Sequence, residues 1–460
     1  MSILRLKPFD TITEEGRSSE RFRRGALTAL ASALSKAVSM VGLVISVPIT
    51  LHYLGAERYG MWMTISSVVV MFGFADLGMG NGLMSLIAGA HGKNDTEAAQ
   101  RSVSSSFFLL SAIASLLLIA FAGAYPYVSW HGIFNVTSPV AVHEAGTAMA
   151  VLFVCFAVSM PLGVVQRVQN GFQEGFQSGL WQTAGNILGF AGLMLMIRLR
   201  AGLPWLVLAV EGLPVAVALL NGLYFFGVQK RWLLPLRRYW SAGSASRILH
   251  TGMLFFALQL AMTFATTTDN LVIAHMIGSR AVAPYAVTAR LFSVITILAN
   301  MLIFPLWPAY GEAFARGDAD WVRRALKRSM WMSVALTAIP SFLLILLGGG
   351  ILHVWVGSSV VAPLGLLVGF GVWSILDAFG NTMAMFLNGA HVVKFQVTWT
   401  TTFAIFALAA KIALARVFGI TGIIWAMDAS YFLLLAIPYA MFVKGFLRNP
   451  GSILPARGMA

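Results

Sequence analysis

The chain has 460 residues, 58% hydrophobic and only 10% charged, with a mean hydropathy of +0.80. Soluble domains carry about 25% charged residues, so the composition excludes a soluble globular protein and indicates a polytopic membrane protein. The net charge of +14 does not indicate nucleic-acid binding, because the basic residues stand in short loops between apolar runs and not on a folded soluble domain.

A bilayer crossing takes about 20 apolar residues. Residues 1–25, polar and without a cleavage pattern, read as a cytoplasmic tail. Six predicted spans follow, at 26–53, 59–90, 98–126, 145–168, 177–198 and 203–228. At 1.5 Å per residue, Lys36 of span 1 lies roughly 15 Å from the inner surface, with Arg24 at the inner mouth of the same helix. A lysine at that depth faces a wet cavity, a partner or an anionic ligand, unless it snorkels. Asp76 of span 2 stands in DLGMGNG, roughly 25 Å from the outer end. This motif reads as a helix break and inner-gate hinge, with Asp76 bonding backbone or a basic loop residue such as Arg101. Span 6 carries Glu211, and the linker 229–246, QKRWLLPLRRYWSAGSAS, reads as a basic amphipathic segment lying in the interface.

The second six spans are predicted at 247–277, 281–314, 322–352, 361–388, 395–417 and 420–444, followed by a cytoplasmic tail at 445–460. Asp269 and Asn270 of span 7 match Arg290 of span 8 in depth, which predicts an Asp269–Arg290 pair. Lys411 of span 11 and Asp428 of span 12 match likewise across the Gly419–Gly422 turn, which predicts a second pair locking helix packing. Asp377 lies deep in span 10 near Asn381. Asp269, Asn270, Asp377, Glu211 and Asp428 are candidates for Na+ or H+ coupling, against the alternative of interhelical hydrogen bonding. No other metal or cofactor is expected.

With both termini cytoplasmic, 23 of the 31 Lys and Arg fall inside and 5 outside, which satisfies the positive-inside rule. Leu54–Val69 resembles Ile277–Phe292, His91–Ser102 resembles Ala315–Ser329, and Val168–Gln177 resembles Phe386–Gln396. The nearly constant offset, with polar turns in the same order, predicts two homologous six-helix lobes, 26–228 and 247–444, around a central cavity. The chain has no phosphate loop, HExxH, Cys/His metal spacing or GxSxG elbow, and its loops are too short for a catalytic domain. An enzyme is therefore not expected.

YLGAERYGMWMTISS, then DLGMGNGL, then TTTDNLVIAHMIGSRAVAPYAVTARL resemble the polysaccharide-transporter (O-antigen flippase) family of the multidrug/oligosaccharidyl-lipid/polysaccharide exporter superfamily. The resemblance runs over nearly the whole chain. It implies an all-α transporter of a bacterial inner membrane that flips polyprenyl-pyrophosphate-linked oligosaccharide to the outer leaflet by ion-driven alternating access. Polysaccharide polymerase and glycosyltransferases would be its partners. On that implication Arg24, Lys36 and Arg290 contact pyrophosphate or acidic sugar, while the prenyl tail stays in lipid. The rival readings are a cation-coupled multidrug exporter on the same fold, which predicts an acid-dominated cavity, and a membrane component of a polysaccharide-synthesis complex. A polymerase or ligase would need a large outer loop with catalytic Arg or His, and 125–144 has neither the size nor any Lys or Arg.

Overall fold

The computed structural model describes residues 9, 13–72, 76–134, 136–277, 281–356 and 362–448, and among them there are only helices, turns and connecting loops. In lipid every backbone N–H and C=O needs an internal partner, and a continuous helix supplies it within one segment. The first half contains α1 (Glu14–Phe72), α2 (Met79–Lys93), α3 (Thr96–Ala124), α4 (Trp130–Phe134), α5 (Pro139–Gly171), α6 (Gly175–Arg198), α7 (Leu203–Val207) and α8 (Leu213–Tyr224). The second contains α9 (Ala242–Met276), α10 (Val282–Ile303), α11 (Leu306–Arg316), α12 (Ala319–Val356), α13 (Leu364–Gly389), α14 (Val393–Tyr431) and α15 (Ile437–Arg448).

The predicted spans fall on these helices, span 2 being shared between α1 and α2, and among the described residues nine helical stretches are long and apolar enough to cross a membrane. α1 holds span 1 and the first part of span 2, parted at Gly55, whose φ of 74° and ψ of 169° interrupt the helix, and α2 carries the end of span 2. α14 holds span 11 and the start of span 12, parted at Gly419 with φ 59° and ψ −142°. Both backbones lie in the positive-φ region that costs glycine little. The chain divides into two compact units, one running to Met253 and one from Leu254, so α9 contributes its first turns to unit 1. The predicted tail 445–460 lies outside the described residues from residue 449 onward.

Left-handed residues mark the repeat in the backbone itself. Asn94 and Gly317 stand 223 positions apart, Gln173 and His391 stand 218 apart, and Arg200 and Gly419 stand 219 apart, all with φ between 54° and 77°. Each pair closes the same turn of its half. The spans also share π-helical stretches, Leu208–Gly212 within span 6 and Phe432–Ala436 within span 12.

Among the described residues two apolar clusters stand out in unit 1. One joins Leu83 and Ile87 of α2, Val103 of α3, Val164 and Val168 of α5, and Ile248 of α9. The other joins Met61, Trp62 and Ile65 of α1 to Ala145, Ala148 and Leu152 of α5 and Leu206 of α7. Beyond Gly55, the Glu57 carboxylate accepts from the backbone N–H of Thr137 and Ser138 at the head of α5, and Arg58 pairs with Glu144 at 2.8 Å. The linker is not one helix: two 3-10 turns, Arg231–Leu233 and Arg237–Tyr239, are tied to α3 through Gln100, Ser104 and Ser105. Lys230 holds its start to Glu174 at 2.8 Å.

The start of α9 meets the start of α2 almost backbone to backbone. A Cβ on Gly252 would fall 3.0 Å from Leu77 O and from Met79 N and Cα, all backbone atoms that cannot swing away. Overpacking of this kind costs ~1–3 kcal/mol. Gly252→Leu therefore lowers the thermal stability of the purified protein, whereas Gly349→Leu in α12, whose Cβ position has nothing within 4 Å, leaves it unchanged.

The predicted N-terminal tail includes the start of α1, at Glu14, well ahead of span 1. Glu20 is 3% exposed there and accepts from Arg23, Arg24 and the backbone N–H of Phe9. Burial pushes its carboxyl up, but the bonds from Arg23 and Arg24 outweigh it and bring it from 4.5 to about 2. A depressed folded value means that the stabilisation is complete above the unfolded value and is lost as pH falls towards 2. Pepsin cleavage within 14–24 should therefore rise on acidification from about 4.5 to about 2, and Glu20→Gln should flatten that rise.

Candidate functional site

Unit 2 encloses a cavity of about 770 Å³ between α9, α10, α13 and the second half of α14. Its wall combines Arg290, Asp269, Tyr285 and Ser293 with the aromatic faces of Phe370 and Trp373. Arg290 is exposed and forms no ion pair among the described residues, so its guanidinium is available to a ligand. Five donors in a planar fork suit it to phosphate oxygens.

Asp269 does not make the pair with Arg290 that its depth predicts. Lys411 donates to Asp269 Oδ1 and to the Ala265 carbonyl, and the Tyr285 hydroxyl donates to Oδ2 at 2.6 Å. Lys411 is 0% exposed. The predicted Lys411–Asp428 pair is likewise absent: Asp428 is 3% exposed and neither carboxylate oxygen has a hydrogen-bond partner among the described residues. Depth along a span orders charges by height but leaves their direction around the helix open, and Lys411 points to α9. Asp377 is bonded by Asn381 one turn on, and the Asn270 side chain lies outside the described residues.

Unit 1 has a smaller cavity of about 350 Å³ between α5, α6 and α8, lined by Glu211 with Gln166, Gln182, Asn186, Asn221 and Trp181. Glu211 sits in the π-helical stretch Leu208–Gly212. Asn186 and Gln182 also bond Ser39 and Ser35 of α1 at 2.7 and 3.3 Å. At 3.6 residues per turn, Lys36 shares the side of α1 with Ser32 and Ser39, away from the exposed apolar row Leu30, Leu34, Val41 and Ile45. It is exposed and has no ion pair among the described residues. Arg24, by contrast, is engaged by Glu20 at 2.8 Å and by the Phe172 carbonyl at 3.1 Å, which leaves Lys36 and Arg290 as the available cations of the three expected.

Asp76 bonds backbone as expected, accepting from Gly78 N–H at 2.9 Å and Gly80 N–H at 3.4 Å where α2 begins. Arg101 is not its basic neighbour, since it pairs with Glu97 on its own helix. Arg167 of α5 takes that position: it donates to Asn81 at 2.9 Å, and a Cβ on Gly80 would lie 2.7 Å from Arg167 Nε and 3.0 Å from Asp76 Oδ2. Arg167 and Tyr285 are the two site residues that the sequence reading missed. The glycine run of DLGMGNG is the signal for the first, because glycine next to a half-buried acid leaves room for a large cation.

Residues 26–314 match the family described as polysaccharide biosynthesis protein. A putative O-antigen export protein of Yersinia pseudotuberculosis is 21% identical over 375 residues, which is 78% of this chain and 82% of the relative. A putative O-antigen transporter of Salmonella typhi is 20% identical over 443 residues, 89% of this chain and 94% of the relative. Among solved structures, an outward-facing multidrug resistance MATE family transporter of the MOP superfamily superposes with a TM-score of 0.77 at 17% identity, over 93% of this chain and 96% of that one. The chain thus belongs to the polysaccharide biosynthesis protein family and is a multi-pass membrane protein that shares the fold of that solved structure.

Proposed function

We propose that the protein moves a polyprenyl-pyrophosphate-linked oligosaccharide, or a related polysaccharide precursor, from the inner to the outer leaflet of a bacterial inner membrane by ion-coupled alternating access, with both termini cytoplasmic. One observation carries the reading: the cavity of unit 2 presents Arg290 free of any acidic partner among the described residues, while Asp269 beside it is already neutralised by Lys411. A pyrophosphate crossing low dielectric needs such a cation to offset its desolvation. An acid-dominated cavity, which a cation exporter would use, is not what the ion pairs leave. Relatives concerned with O-antigen export support the glycan as cargo. Polysaccharide polymerase and glycosyltransferases are the partners this role would need.

The test is flipping of a labelled lipid-linked oligosaccharide in reconstituted vesicles. Lys36→Ala and Arg290→Ala should each slow it, and Lys36→Arg should restore it. Normal flipping by both well-folded alanine variants would remove the cationic site.

A further inference from the structure

Unit 2 buries more acid than base. Lys411 and Asp269 neutralise one another, with the Tyr285 hydroxyl completing the carboxylate's bonds. The cation that Asp269 requires is therefore supplied by the chain. Asp428 is left over, buried and without a hydrogen-bond partner among the described residues. An ionised carboxylate in that condition is strongly disfavoured against the neutral acid, so Asp428 carries a proton in this state.

Tyr285, and not depth alone, connects Asp428 to the Lys411–Asp269 pair. Lys411 stands eight residues before the Gly419 break and Asp428 nine after it, so the two reach similar depth, roughly 12–14 Å from the turn at 1.5 Å per residue. Tyr285, which bonds Asp269, is within electrostatic reach of Asp428 as well. The other titratable or charged groups on these elements include His275 of α9, Arg290 of α10, Asp377 of α13, Arg416 and Tyr431 of α14, and Tyr439 of α15. Met427, the preceding residue in the chain, lines the large cavity, as does Tyr285, so the nearest water to Asp428 is in that cavity.

We infer that Asp428 binds and releases the coupling proton, and that Lys411 is the resident cation working against it. With Asp428 protonated, the ammonium rests on Asp269. When Asp428 gives its proton to water in the cavity, the ammonium is drawn towards the new carboxylate and its hold on Asp269 weakens. H+ is then the coupling ion and Na+ is not. The inference deepens the ion-coupled transport proposed above and rests on it only for the word coupling.

The proton site can be tested without cargo, by infrared difference spectra of the purified protein in phosphatidylethanolamine–phosphatidylglycerol vesicles, stepped from neutral to alkaline buffer in K+ or Na+. Wild type should show a protonated-carboxyl band that disappears on alkalinisation. Asp428→Asn should lose that band, Asp377→Asn should keep it, and exchanging K+ for Na+ should not move it. Lys411→Met should add a second such band, because Asp269 then takes a proton, which a merely structural lysine beside an unaffected acid would not produce. Should Asp428→Asn fail to fold, Asp428→Glu must shift the band. Persistence of the band in Asp428→Asn, an unshifted band in Asp428→Glu, or its displacement by Na+ at constant pH would overturn the inference. Vesicles that show the band yet move no lipid-linked oligosaccharide would count against the transport reading and leave the proton site standing.

Discussion

Lys411→Met is expected to destabilise the protein by ~3–5 kcal/mol, the range found when one member of a buried ion pair is removed. The side chain is fully buried and serves two acceptors, the Asp269 carboxylate and the Ala265 carbonyl, so the loss forces the stranded acid to take a proton and leaves a backbone oxygen unpaired. The penalty belongs to the stranded acid and not to the missing packing, since methionine nearly fills the space. Lys411→Met with Asp269→Asn should therefore recover most of it, because the neutral amide still bonds Tyr285. Thermal unfolding of the purified single and double variants measures the difference. A double variant no more stable than the single, to within ~0.5 kcal/mol, would mean that Lys411 stabilises unit 2 by packing alone.

Arg290 carries the second large effect. A hydrogen bond to a charged group contributes ~1.5–3 kcal/mol, and if it is made to the crossing pyrophosphate its loss slows transport by about 10- to 150-fold. Because Arg290 is exposed and holds no acid of its own among the described residues, Arg290→Gln should leave unfolding unchanged. That separation of transport from stability distinguishes it from Lys411. Arg290→Lys should fall between, keeping the charge but losing the planar fork that grips two oxygens at once.

Span positions were legible because long apolar runs admit one secondary structure in lipid, and Gly55 and Gly419 parted α1 and α14 where the sequence turns from apolar to polar. The repeat was legible for a related reason: its polar turns must close with left-handed residues, and Asn94, Gln173 and Arg200 have counterparts in the second half. Partner choice was not legible. Asp269 finds Lys411 142 residues away, and equal depth with Arg290, only 21 residues away, gave no azimuth. Arg167 was hidden by the positive-inside rule itself, which assigns a cation near the inner end of a span to topology although this one clasps the start of α2. Arg24 illustrates the same limit, since Glu20 lies just four residues before it and the pairing is visible only once α1 extends ahead of span 1.

The central claim, that the cavity is built for an anionic lipid carrier, is tested most directly by offering wild type and Arg290→Gln the same labelled oligosaccharide on two lipids, a polyprenyl pyrophosphate and an uncharged polyprenyl ether. Wild type should flip the pyrophosphate carrier faster, and Arg290→Gln should lose that preference while handling the neutral carrier as wild type does. Equal rates on both carriers in wild type would contradict the account.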